Sequence, residues 1–261
     1  IIKGKHTNYP PAGAALADCD LTAAAIFPVK YPIIFKWFYL LSLVLSQIIF
    51  YSATYFALMC YTNNINKDGG TSMKRSSIRL QYNAPVTLTF FFLSLASLVL
   101  GYLTNNWTTS HLFSVYRSSM TDPLFYVRLF GHVLGHGDWN HFINNMLLFL
   151  VVAPPLEERY GSRTLLSGIL MTALVSGILQ CVLFPTSALL GASGIVFMLI
   201  MLSSLAGSKN GGIPITFILV GVLYLSQQIY SIFFIQDNVA NFMHIVGGIC
   251  GTAFGFAVRK R

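Results

Sequence analysis

From residue 164 to residue 184 the chain reads TLLSGILMTALVSGILQCVLF, a run without a single charge. As a helix it is long enough to cross a hydrocarbon core of roughly 30 Å. Five more apolar segments after residue 80 read the same way, at about 86 to 103, 141 to 156, 191 to 207, 213 to 235 and 241 to 258. None shows the alternating pattern of a lipid-facing barrel, so the expected fold is an all-α membrane bundle of six transmembrane helices. Composition agrees. With 55% hydrophobic and 9% charged residues and a mean hydropathy of +0.66, a water-soluble globule with a polar surface is excluded. The lipid bilayer is the first partner the sequence implies. The net charge of +8 does not point to nucleic acid, because the basic residues lie between the apolar segments rather than in one patch.

Those basic residues set an orientation. Lys74, Arg75, Arg79, Arg159, Arg163, Lys209, Arg259, Lys260 and Arg261 fall on one side of the six spans, and only Arg117 and Arg128 on the other. The bias places both ends of the six-span unit in the cytoplasm. Spans two, four and six then start on the outer side, so their first turns share one depth. Those turns hold His141 and Asn145, then Ser193, then Asn241 and His244. The long connection from Thr104 to Asn140 is too polar to span and too aromatic for a simple linker, and it is expected to pack on or into the membrane surface.

Residues 1 to 72 read as a separate N-terminal extension, and residues 73 to 261 as the six-helix domain. Trp37 to Cys60 is uncharged and long enough to be an accessory seventh span, but the Lys and Arg on its two flanks balance and give no orientation. The opening stretch is polar and proline-bearing rather than basic and then apolar, so it does not read as a cleavable signal peptide. Cys19, Cys60, Cys181 and Cys250 form no C-x-x-C pair and indicate neither a disulfide framework nor a cysteine zinc site.

Ser193 stands in Gly191-Ala192-Ser193-Gly194, after a loop marked by Pro185, Thr186 and Ser187 and before an apolar run. That places it near a helix N-terminus, whose free N–H groups suit an oxyanion formed when a serine attacks a carbonyl. Taken alone, the motif reads first as a small-residue packing patch. His244 is followed by Gly247, Gly251 and Gly255 at spacings that line one helical face, which lets a neighbouring helix come close and a general base reach Ser193. A histidine satisfied by a backbone carbonyl is the bland alternative, although an intramembrane histidine is more often functional. His141 and Asn145 are four apart on one face and could complete an oxyanion hole.

His132 and His136 form another pair at that spacing and raise the question of a metal. There is no H-E-x-x-H and no nearby cysteine, and Asp138 is the only local carboxylate, so the expectation is no metal and two loop-anchoring hydrogen bonders. Glu157, Glu158 and Arg159 stand at the far end of span two, where capping and pairing in the turn are preferred over catalysis.

Together these residues resemble the rhomboid intramembrane serine proteases. The likeness runs from about residue 80 to the end of the chain. It rests on Arg128 four before His132, the spacing His132, His136, His141, Asn145, then Glu157-x-Arg159-x-Gly161, Gly191-Ala192-Ser193-Gly194, and Ala240-Asn241-x-x-His244-x-x-Gly247-x-x-x-Gly251. The resemblance implies Ser193 as nucleophile and His244 as base with no acidic third member, and Asn145, His141 and the Ser193 N–H as oxyanion donors. Gly191, Gly194, Asn241, Phe197 and Gly247 support that site in the same reading. It also implies no cofactor, substrates that are single-span membrane proteins, water access from the outer side, and lateral access controlled by the fifth helix and the loop above the site. Two positions depart from the pattern. Val127 stands before Arg128 where the family often has Trp, and Phe197 stands where many members have Tyr, which leaves the orientation of His244 to stacking alone. The rival functions are an inactive relative that binds or escorts membrane clients, and a transporter or channel. The first lacks support because serine and histidine are both present, and the second because the polar groups cluster in one layer.

Overall fold

The computed structural model describes residues 83–208, 212–234 and 238–258. The N-terminal extension and the accessory stretch from Trp37 to Cys60 lie outside the described residues. Within them the chain forms eight α-helices: α1 Pro85–Leu103, α2 Trp107–His111, α3 Pro123–Gly131, α4 Trp139–Tyr160, α5 Ser162–Leu183, α6 Ser193–Ala206, α7 Ile215–Phe234 and α8 Asn238–Val258. All six expected segments are helices. Four of them, in α1, α5, α7 and α8, are long and apolar enough to cross a membrane, and large apolar side chains such as Phe92, Leu100, Val182, Ile218, Val222 and Ile249 face outward from the bundle. This is a multi-pass, all-α membrane protein.

The other two segments depart from the simple expectation of six equal spans, and each for a physical reason. α4 is polar at both ends, with Asn140, His141, Asn144 and Asn145 at one and Glu157, Glu158 and Arg159 at the other. α6 is 14 residues long, which at 1.5 Å per residue rises only about 21 Å. These are the two helices that carry His141 and Ser193.

Local signals account for the helix boundaries. Asp138 caps α4 by accepting the His141 N–H at 2.8 Å, and the helix runs through Pro154 and Pro155 before ending at Gly161, whose φ of +84° few other residues adopt. α1 starts at a proline with no cap of its own in sequence. Glu157, at the end of α4, supplies one, accepting from Val86 N, Thr87 N and Thr87 Oγ1 at 2.8 Å each.

α6 is the centre of the bundle, with Ile195, Val196, Met198, Leu199 and Leu202 all buried. It packs most extensively on α8. A side chain at Gly247 would run into the carbonyl of Gly194, and one at Gly251 into the carbonyl of Met198, so backbone lies directly on backbone along this seam. α7 is the least covered of the long helices. Among its residues with described side chains, only Tyr224 and Gln228 are buried.

The connection between α1 and α4 is more ordered than a surface loop. It holds α2, α3 and a 3-10 turn at His132–Leu134, and α3 packs on α5 where Gly177 leaves room for Leu129.

Candidate active site

The segment leading into α6 is pinned before the helix begins. Val115 and Leu189 exchange both backbone hydrogen bonds at 2.9 Å as a single antiparallel bridge, and the Gly191 N–H donates to the His132 carbonyl at 2.9 Å. Gly191 has φ +127°, a backbone conformation that side chains disfavour. The chain then turns into α6 with Ser193 as its first helical residue. The Ser193 N–H accordingly has no acceptor within the helix and sits at its positive end.

His141 faces the same glycine. A β-carbon on Gly191 would lie 2.9 Å from both Cε1 and Nε2 of the imidazole and 3.9 Å from Ser193 Oγ. The first turn of α4 therefore meets the first turn of α6 across one missing side chain. Asn145, one turn deeper in α4, is buried.

The first turns of α6 and α8 meet through the glycine seam. Phe197, one turn below Ser193, has its ring centroid 4.5 Å from that of His244 and 4.3 Å from that of Tyr224. The His244 imidazole is thus held against the face of α6 that carries Ser193. Its Nδ1 lies 2.9 Å from Gln228 Oε1 of α7. Asn241 stands one turn before His244, partly buried.

Beside this centre the connection between α1 and α4 forms a hydrogen-bonded collar. The buried Arg128 guanidinium donates to His111 O at 3.3 Å, to Ser118 Oγ at 2.9 Å and to the Asp122 carboxylate, and it lies 4.6 Å from the Tyr116 ring centroid. Arg128 in turn holds the Asp122 carboxyl below its ordinary range. His132 places Nδ1 3.2 Å from Arg128 O and Nε2 3.2 Å from Ser176 Oγ, while His136 places Nδ1 3.1 Å from Leu134 O. Burial depresses the pKa of each ring to about 4, helped at His136 by the neighbouring His141. Both are neutral imidazoles at physiological pH. They act here through hydrogen bonds and, in His132, through the carbonyl that holds Gly191.

The rhomboid domain family matches residues 124–261, from α3 to the end of the chain. The chain belongs to the rhomboid family. It is similar to Rhomboid-related protein 1 of Caenorhabditis elegans, 30% identical over 141 residues, which are 50% of this chain and 39% of that protein. The chain therefore spans well under half the length of that relative.

Within this rhomboid fold, Glu157 and Arg159 stay at the end of α4 that lies away from Ser193. Glu157 caps α1 and also accepts from Ser162 Oγ at 2.7 Å, while Arg159 lies over the Tyr160 ring. The expectation of capping in the local turn was too narrow, because the carboxylate's main donors lie about 70 residues away. The expectation that stacking alone orients His244 is corrected by the Gln228 hydrogen bond. A signal for Gln228 was present. Gln227-Gln228 is an amide pair in an otherwise apolar span, and polar groups at such positions ask for a partner.

Proposed function

We propose that this protein is an intramembrane serine endopeptidase that cleaves single-span membrane proteins within or beside their spans. One observation carries the reading: Ser193 opens α6, and one turn further along the same helix the Phe197 ring lies against the His244 imidazole, tilted by 47° with centroids 4.5 Å apart. A hydroxyl at the positive end of a helix and an imidazole held against that helix are the parts acyl transfer needs.

In this mechanism Ser193 Oγ attacks the scissile carbonyl carbon while His244 takes the hydroxyl proton. The oxyanion is stabilised by the Ser193 N–H, by the imidazole of His141 and by the amide of Asn145. His244 then returns the proton to the leaving amine as the C–N bond breaks, leaving an ester on Ser193. Water, deprotonated by His244, hydrolyses that ester and frees the hydroxyl. No cofactor takes part. The substrate's peptide bond must leave its helix to be attacked, so segments with small or helix-breaking residues are favoured. The basic residues between the spans support a cell-membrane orientation with the C-terminus in the cytoplasm and the site open to the outer side.

The test uses purified protein in liposomes with a reporter carrying a rhomboid-type span. Wild type is expected to cleave it, Ser193→Ala and His244→Ala to leave it intact, and a chelator to change nothing. Cleavage that survives Ser193→Ala but not chelation refutes the serine mechanism. An intact reporter that nonetheless co-purifies with wild type supports the escort function instead.

A further inference from the structure

We infer that Gln228 is a positioning residue for His244, a neutral third member of the site supplied by α7; this rests on the serine protease reading above. The Gln228 side chain is 4% exposed in a helix whose other faces are largely bare, with Ile218, Val222, Leu225 and Ile229 all outward. A primary amide in such a helix is costly to bury without a partner. Its Oε1 lies 2.9 Å from His244 Nδ1. An amide oxygen can only accept, so the bond requires the proton on Nδ1.

Chemistry follows from that proton's place. In a neutral imidazole with hydrogen on Nδ1, the lone pair is on Nε2, at the opposite edge of the ring from α7. The ring's face is fixed independently by Phe197, itself held between His244 and Tyr224. Tyr224 and Gln228 are four apart and share one face of α7. One helix thus sets both the tilt of the base, through Tyr224 and Phe197, and its tautomer, through Gln228. When His244 takes up the serine proton, the Nδ1–H bond to the amide strengthens, because its donor is then charged.

Two readouts test this on the full chain reconstituted in liposomes. The first is nitrogen NMR of labelled histidine, with His244→Gln to assign the signal. Wild type should show His244 protonated at Nδ1 and bare at Nε2, and Gln228→Leu should move population to the opposite tautomer. The second is cleavage of the span reporter. Gln228→Leu should lower kcat about tenfold or more with KM little changed, as for loss of a bond that orients a general base, and Gln228→Glu, which keeps an acceptor oxygen, should recover most of the rate. Thermal unfolding of each variant separates lost folding from lost orientation. A wild-type His244 protonated at Nε2, or a Gln228→Leu variant with unchanged tautomer and kcat, overturns the inference. If wild type cleaves nothing, the protease reading falls, and the NMR result still decides whether Gln228 fixes the ring.

Discussion

Glu157 and Thr87 stand 70 positions apart in sequence, yet one carboxylate oxygen of Glu157 accepts from both the backbone N–H and the hydroxyl of Thr87 at 2.8 Å. Its second oxygen accepts from Val86 N and Ser162 Oγ. One buried carboxylate therefore fastens the start of α1 to the turn between α4 and α5. Glu157→Ala leaves these donors without a protein acceptor and is expected to cost roughly 3 kcal/mol or more, whereas Thr87→Val, which removes a single bond, should cost about 1 kcal/mol. Thermal unfolding in detergent measures both. Equal midpoints for the two variants would count against this account.

Gly191→Ala is expected to damage the site more than the fold. The substitution places a methyl group 2.9 Å from the His141 ring at a φ of +127°. Backbone strain of this kind costs about 1 to 3 kcal/mol, and the displaced imidazole should reduce kcat further. At Gly194 the nearest atom to an added methyl would be Met243 O at 3.6 Å, so Gly194→Ala should fold as wild type. Comparing unfolding midpoint and reporter cleavage in the two variants separates these effects.

Along the α6 and α8 seam the penalty should depend on what the new methyl meets. At Gly247 and Gly251 it meets backbone carbonyls, which cannot move without parting the helices. At Gly255 it meets Leu205 Cδ1 at 2.7 Å, the end of a side chain that can rotate. Alanine at either of the first two positions should therefore destabilise by about 1 to 3 kcal/mol or more, and at Gly255 by clearly less. Unfolding midpoints that rank Gly255→Ala as the worst of the three would contradict the seam.

His132 and His136 predict how stability responds to acid. Each has a folded-state pKa of about 4, below the ordinary 6.5, because burial disfavours the charged ring. The unfolded chain thus binds protons first as the pH falls. Stability should be level above about pH 6.5 and drop progressively between there and about pH 4. Unfolding midpoints measured across that range should show the slope, and His132→Asn should flatten part of it. A profile that is flat down to pH 4 would contradict the buried neutral rings.

Much of this architecture was legible in the sequence because lipid imposes a simple rule on composition. α1, α5, α7 and α8 were visible as uncharged runs, with ends within a few residues of those observed. α4 extended further than its apolar part, since Asp138 caps it early and its two prolines do not end it. The structure of the connection from Thr104 to Asn140 was not legible, because its order depends on Arg128 reaching carbonyl and side-chain partners spread over positions 111 to 122. The residues His141, Ser193 and His244 were picked out as polar groups in apolar helix starts. Gln228, although one of an amide pair in an apolar span, stands at no spacing that identifies its partner. Its partner sits on another helix, 16 positions away, and only packing brings the two together.

A central rod shorter than its neighbours leaves a stretch of irregular chain, from Phe184 to Ala192, to occupy the remaining depth of the bundle. Hydrocarbon offers such a stretch no hydrogen-bond partner, so its amides have to be met by the protein itself. The collar does this through the bridge at Leu189 and the His132 carbonyl at Gly191, and Gln180 adds a donor to the Ser187 carbonyl at 3.1 Å. The approach to Ser193 is in that sense upholstered from within, with backbone groups at Ser187, Leu189 and Gly191 met by the protein itself.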